Sequence, residues 1–243
     1  MRNILLALVC VATASWAQTP VTGKELLIKM HEKYAGKWYK TFQFKQTTDM
    51  YKNDSLIRSQ VWSEHIQFPQ NFRIDFGNAD SGNAVIFKND SSYYFKNSKL
   101  LRTNYYPNDL LFLLGGMYFY TLNEAIAKMK TYGFDINKFH ESVWNGKGVY
   151  VIGADKDGEE SNQAWFDKEH YSLVRMIKYE NGRKEDALLE DHVKLDGGYS
   201  ETLVKFYMND KLLQVEKYFD LEANKEINPE IFNPENFIKA IQQ

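Results

Sequence analysis

The chain predicts an α+β protein, mostly antiparallel β, built on one strongly curved sheet with about three helices. Three observations carry this. Aromatic residues are abundant, with 16 Tyr and 16 Phe against only 5 Pro in 243 residues, and they fall in short runs of strand period. Asn, Asp and Gly pairs separate those runs at hairpin spacing, and these residue types accept the positive φ that tight hairpin turns require. Two helical patterns interrupt the strands near the middle of the chain, giving the order helix, strands, helices, strands.

The elements follow in order. Thr22-Gly23-Lys24-Glu25 has the pattern of a capping box; Leu27, Met30 and Tyr34 then share a helix face, and Gly36 ends the helix. A strand over 38–51 places Phe42 and Phe44 on one side. Asn53-Asp54-Ser55 turns into a second strand over 56–68, with Trp62, Ile66 and Phe68 on one side. Strands this long suit a curved sheet or an open barrel wall. Pro69 opens a third strand, in which Phe72, Ile74 and Phe76 alternate with Arg73 and Asp75. A hairpin at Asn89-Asp90 joins Ala84–Lys88 to the aromatic run ending at Phe95.

The stretch from Leu110 to Tyr120 is apolar almost all round and reads as a helix that is buried or covers something greasy. Thr121-Leu122-Asn123-Glu124 is a second capping box, and Gly133 closes the helix it starts. Further strands are expected at 149–152, 163–166, 173–179, 188–195, 202–208 and 212–221, for about eleven in all.

Arg2, an apolar run from Ile4 to Ala14, and the small residues Ser15 and Ala17 before Gln18 form the pattern of a cleavable signal peptide over residues 1–17. The domain reading is then a single unit over 18–243, exported and monomeric. Cys10, the only cysteine, falls inside the apolar run, so the mature chain has no disulfide and no thiol chemistry. Removing Arg2 from 30 basic residues leaves 29 against 32 acidic ones, a net charge of −3 with histidine neutral. That balance argues against a nucleic-acid or polybasic membrane surface.

No phosphate loop, dinucleotide fingerprint, nucleophile elbow or zinc helix is present. The histidines, His31, His65, His140, His170 and His192, are far apart in sequence. The acidic run Asp155 to Glu160 offers oxygen donors, but not at EF-hand spacing, and reads as a hairpin tip. Neither metal nor cofactor is implied. Glu201 and Glu216 are a conceivable carboxylate pair for glycoside hydrolysis, although strand glutamates usually face solvent.

The strand opening on Pro69, then Asn71-Phe72-Arg73-Ile74-Asp75-Phe76, then an apolar hairpin with aromatics beyond it, resembles the periplasmic lipoprotein carriers of the LolA type. Those proteins show a similar run of Pro-x-x-Phe, Val-x-Asp-Gly and Trp-x-Tyr, and Phe44-Lys45-Gln46 is similar to their Phe-x-Gln after the first helix. The resemblance covers most of residues 20–235. It implies an unclosed half β-barrel with a helical lid, and a non-enzymatic periplasmic carrier of lipid or lipoprotein acyl chains. Membrane-bound donor and acceptor proteins would be its partners. The expected cavity liners are Phe42, Phe44, Trp62, Phe72, Ile74, Phe76, Leu110, Leu111, Leu114 and Met117. One position departs from the pattern: the carriers place an arginine before the strand-opening proline, where this chain has Phe68. For Leu110–Tyr120 the plain alternative is filled core. For the whole chain the alternatives are a protein-binding or stress-sensing module on the same fold, or a β-rich envelope hydrolase.

Overall fold

A computed structural model describes residues 19–237; the signal-peptide pattern over residues 1–17 lies outside them. Helix α1 (Gly23–Tyr34) starts at Thr22, whose hydroxyl accepts from the Glu25 amide at 3.1 Å. The long strands β1 (Thr41–Lys52) and β2 (Ser55–Gln67) follow, then β3 (Asn71–Phe76), β4 (Ala84–Lys88), β5 (Ser91–Lys96) and β6 (Lys99–Tyr105). Helix α2 (Asp109–Leu113), a 3-10 turn (Gly116–Phe119) and helix α3 (Leu122–Thr131) interrupt the strands. The second half comprises β7 (Phe139–Trp144), β8 (Lys147–Ile152), β9 (Gln163–Asp167), β10 (Leu173–Glu180), β11 (Arg183–Glu190), β12 (Val193–Leu195), β13 (Gly198–Ser200), β14 (Leu203–Met208) and β15 (Lys211–Ala223).

Thirteen of these strands form one antiparallel sheet in the order β6-β5-β4-β3-β2-β1-β15-β14-β11-β10-β9-β8-β7, and β12 and β13 pair separately. The sheet is open, with β6 and β7 as its edges. The join between its halves is β1 against β15, Thr48 opposite Glu216 and Gln46 opposite Tyr218. Most hairpins turn where Asn-Asp or Asn-Gly was expected; Asn53 and Asp54 have φ of 49° and 60°, and Asn209 and Asp210 of 48° and 62°.

The two faces of the sheet have different covers. On the lid face, Phe42, Phe44 and Ile66 join residues of α1, α2, α3 and β8–β11 in the main core. On the other face, the alternation of β3 puts Arg73 and Asp75 where solvent was expected, yet both are only 3% exposed. The C-terminal segment covers them: Arg73 forks onto Asp75 at 2.7 and 2.8 Å and donates to the Ile231 carbonyl. Phe237 stacks on Phe95 at 4.0 Å.

Several elements differ from expectation. The count is fifteen strands among the described residues rather than about eleven. Strand β6 has both faces exposed and so carries no apolar period. The strand expected at 188–195 is the end of β11 plus β12, because the chain turns at Asp191 with φ of 53°. The apolar run 110–120 is not one helix. Gly115, at φ +140°, ends α2, and a Cβ there would fall 2.1 Å from Trp38 Nε1, so the backbone must pass the indole unencumbered.

Candidate ligand cavity

The register of β1, β2, β3 and β4 lays the lid face out in rows. Phe42, Ile66, Phe72 and Phe87 form one row, and Phe44, Glu64, Ile74 and Val85 the next. Helix α2 lies over them and leaves a cavity of about 230 Å³. An engineered apolar cavity of roughly 150 Å³ is enough to hold benzene, so this space admits a ligand segment.

Of the expected liners, Phe42, Phe44, Phe72, Ile74, Leu110, Leu111 and Leu114 surround this cavity. Trp62, Phe76 and Met117 do not. Trp62 and Phe76 pair across β2 and β3 in the row beyond Glu64, their rings 4.8 Å apart at 73°, and fill that space themselves. Met117 is 2% exposed and packs in the main core.

Sequence reasoning missed several liners: Tyr39, Phe68, Phe87, Tyr106, Phe206 and Tyr218. It also missed the polar wall, formed by Glu64, Glu201 and Glu216 with Ser200 beside them. Glu64 is 4% exposed, Glu201 5% and Glu216 6%, so Glu201 and Glu216, expected at the surface, are inside. For Glu64 the signal was legible, since it shares the apolar parity of β2 with Trp62 and Ile66.

The three carboxyls are unequally served. Glu216 accepts from Gln214 Nε2 at 2.6 Å and from the Tyr218 hydroxyl at 3.1 Å. Among the described residues no hydrogen bond reaches the Glu64 carboxyl, and the Glu201 carboxyl receives one only from its own backbone amide. Burial pushes all three pKa values up. Glu201 reaches about 8 through burial and then the Glu216 charge, against a bond from its own backbone. Glu64 goes well above the carboxylate range through burial, then the charges of Glu216 and Glu201. At Glu216 burial is opposed by bonds from Gln46, Tyr218 and Gln214. At neutral pH Glu201 is therefore largely protonated, and burial pushes Glu64 in the same direction.

The lid is tethered at three points. Asp109 of α2 meets Lys178 of β10 at 2.8 Å, and the same ammonium donates to the Tyr132 carbonyl after α3. His31 of α1 bonds the Tyr120 carbonyl at 2.9 Å. Phe68, standing where the carriers have arginine, stacks on Phe119 at 5.6 Å and 3°. An apolar stack thus ties sheet to lid at that position.

Elsewhere, Asp157 is held by His140 and Ser142, and Glu159 by Lys138. Among the described residues no group of three or more His, Cys, Asp or Glu is arranged to hold a metal. None of those helices is long and apolar enough to cross a membrane.

No family model matches the sequence, and no curated protein matches it. Solved structures do match. A putative outer membrane lipoprotein-sorting protein domain from Vibrio parahaemolyticus superposes with a TM-score of 0.61 at 12% identity, covering 89% of this chain and 98% of that one. A DUF1329 family protein from Desulfovibrio piger gives 0.59 at 12% identity over 87% and 95%. A LolA superfamily protein from Nitrosomonas europaea gives 0.54 at 13% over 88% and 98%. The chain has a LolA-like fold. In the terms of that fold, the thirteen-stranded sheet is the unclosed barrel, and the helices between β6 and β7, with α1, are its lid.

Proposed function

We propose that this protein is a non-enzymatic periplasmic carrier, exported by a cleaved signal peptide, that takes up a lipid or a lipoprotein acyl chain. The single mature unit would run over residues 18–243. The observation that supports the reading is the apolar cavity between sheet and α2 in a LolA-like fold. Burial of apolar chain contributes about 0.8 kcal/mol per methylene, so affinity needs no catalytic chemistry. Release would follow from lifting α2. A ligand larger than the closed cavity would enter the same way. Phe42, Phe44, Phe72, Ile74, Leu110, Leu111 and Leu114 would make the contacts.

The hydrolase alternative gains the proximity of Glu201 and Glu216 but loses the setting. Most of the surrounding side chains are Phe, Leu, Ile and Tyr, an apolar setting unlike the hydrogen-bonding cleft that a sugar requires. A protein-binding role has one observation behind it: the exposed edge β6, where Leu101 and Tyr105 are 67% and 76% exposed.

Aspartate at Leu110, Leu111 or Leu114 tests the carrier reading. Binding of a neutral fluorescent alkyl probe is expected to drop at least about tenfold, because a charge placed against an apolar chain is desolvated. Folding should survive at Leu110 and Leu114, which are partly exposed. Unchanged probe binding by all three variants would place the ligand elsewhere.

A further inference from the structure

The carrier reading explains the apolar part of the cavity and leaves its acidic wall without a purpose. Buried carboxyls short of donors are costly, and here only Glu216 has side-chain donors. Glu64 and Glu201 are at least nine-tenths buried and line the cavity; Glu64 accepts no hydrogen bond from a described residue, and Glu201 accepts one only from its own backbone amide. Gln46, on β1 two residues from Phe44, has a buried Oε1 that lacks a donor, though it does not line the cavity.

The neighbouring donors are committed elsewhere. The Tyr39 hydroxyl donates to the Tyr199 carbonyl at 3.2 Å, and Ser200 Oγ to the Glu201 backbone carbonyl at 3.0 Å. Tyr218 and Gln214 serve Glu216. Tyr106 and Asn108 line the cavity too, but make no bond to these acids. Among the described residues no Lys, Arg or His lines the cavity. Apart from the protons of the carboxyls themselves, the wall is rich in oxygen acceptors, poor in donors, and without a compensating cation.

Resting on the carrier reading, we infer that the cavity selects amphiphiles bearing a primary amine on their apolar body, with the ammonium seated against Glu64 and Glu201 and the chain along Phe42, Phe72 and Leu111. An ammonium offers three donors and a positive charge, which is what the wall lacks. A hydroxyl offers one donor and no charge. A carboxylate head brings no donor and no positive charge, and it competes with the wall for the same protons. Seating the ammonium ionises acids that were protonated, so the complex forms with release of a proton to solvent. The titratable groups facing that ammonium are Glu64, Glu201 and Glu216, with the phenols of Tyr39, Tyr106 and Tyr218.

The experiment is calorimetric titration of the full mature chain with dodecylamine, dodecanol and dodecanoate below their micelle concentrations, in two buffers of different ionisation enthalpy. The inference expects dodecylamine to bind at least about tenfold tighter than dodecanol, as charge-assisted bonds in a dry site allow, with dodecanoate weakest. It also expects proton release for the amine alone, and loss of the amine's advantage in Glu64→Gln and Glu201→Gln. Those substitutions keep shape and remove an unpaired acid, so the variants should melt at or above the wild-type temperature, and dodecanol binding should persist in them. Equal affinity for amine and alcohol, or an amine preference surviving both substitutions, overturns the inference and leaves the carrier reading standing. Failure of all three chains to bind overturns both.

Discussion

At the scale of single residues, the buried acids make stability depend on pH in a direction opposite to that of salt-bridged carboxylates. Below about 4.5, the ordinary glutamate value, Glu201 is protonated in both folded and unfolded chains. Between there and about 8 the folded Glu201 keeps its proton while the unfolded one releases it. Its contribution is therefore full below about 4.5, declines as pH rises toward 8, and is gone above that. Glu64, raised further, extends the decline in the same sense. Thermal unfolding of wild type and Glu201→Gln from pH 5 to pH 8 should show a steeper fall for wild type. Parallel curves would mean that Glu201 titrates as an ordinary surface carboxylate. Sequence reading located Glu201 and Glu216 but not their burial, because strand parity says which face a residue shares and not what covers that face. Phe42, Phe44, Phe72 and Ile74 were legible because apolar alternation and an apolar cavity make the same pattern. Trp62 and Phe76 have that pattern too, and only the depth of their row separates them from the site.

At the scale of elements, capping boxes and turn pairs were the most readable features, since each is a local chemical requirement. Thr121 and Glu124 exchange both bonds of the box, and the Asn-Asp turns have the expected positive φ. What local chemistry does not specify was missed: β6, which pairs only along one edge, and the reason for the break at Gly115, which is imposed by Trp38 from a distant segment. Gly115→Ala should cost on the order of 1–3 kcal/mol, from strain at φ +140° and from the clash with the indole. Denaturant unfolding checks this, and an unchanged midpoint would show that Trp38 yields freely. The lid tether gives a second test. Asp109→Asn removes the ion pair with Lys178, whose partners are 17% and 18% exposed, and should loosen α2 by about 1–3 kcal/mol. Hydrogen exchange is expected to speed up across 109–119 with the strands unaffected. Unchanged protection there would assign lid closure to the Phe68–Phe119 stack.

At the scale of the molecule, the order helix, strands, helices, strands already implied a sheet with a cover, whereas the pairing of β1 with β15 was beyond local reading. That ladder joins segments far apart in sequence, and it brings Glu216 and Tyr218 into the same cavity as Phe44 and Glu64. The burial of Arg73 and Asp75 under the C-terminal segment is equally non-local. A cavity assembled from both halves of the chain, roofed by a helix only five residues long, is suited to holding an apolar chain and giving it up. The most direct measurement is native mass spectrometry of the mature protein after gentle extraction from its own cells. A bound mass of lipid or acylated character, lost in Leu111→Asp, is the expected result. A protein that is empty in every preparation and takes up no added amphiphile would contradict the carrier role.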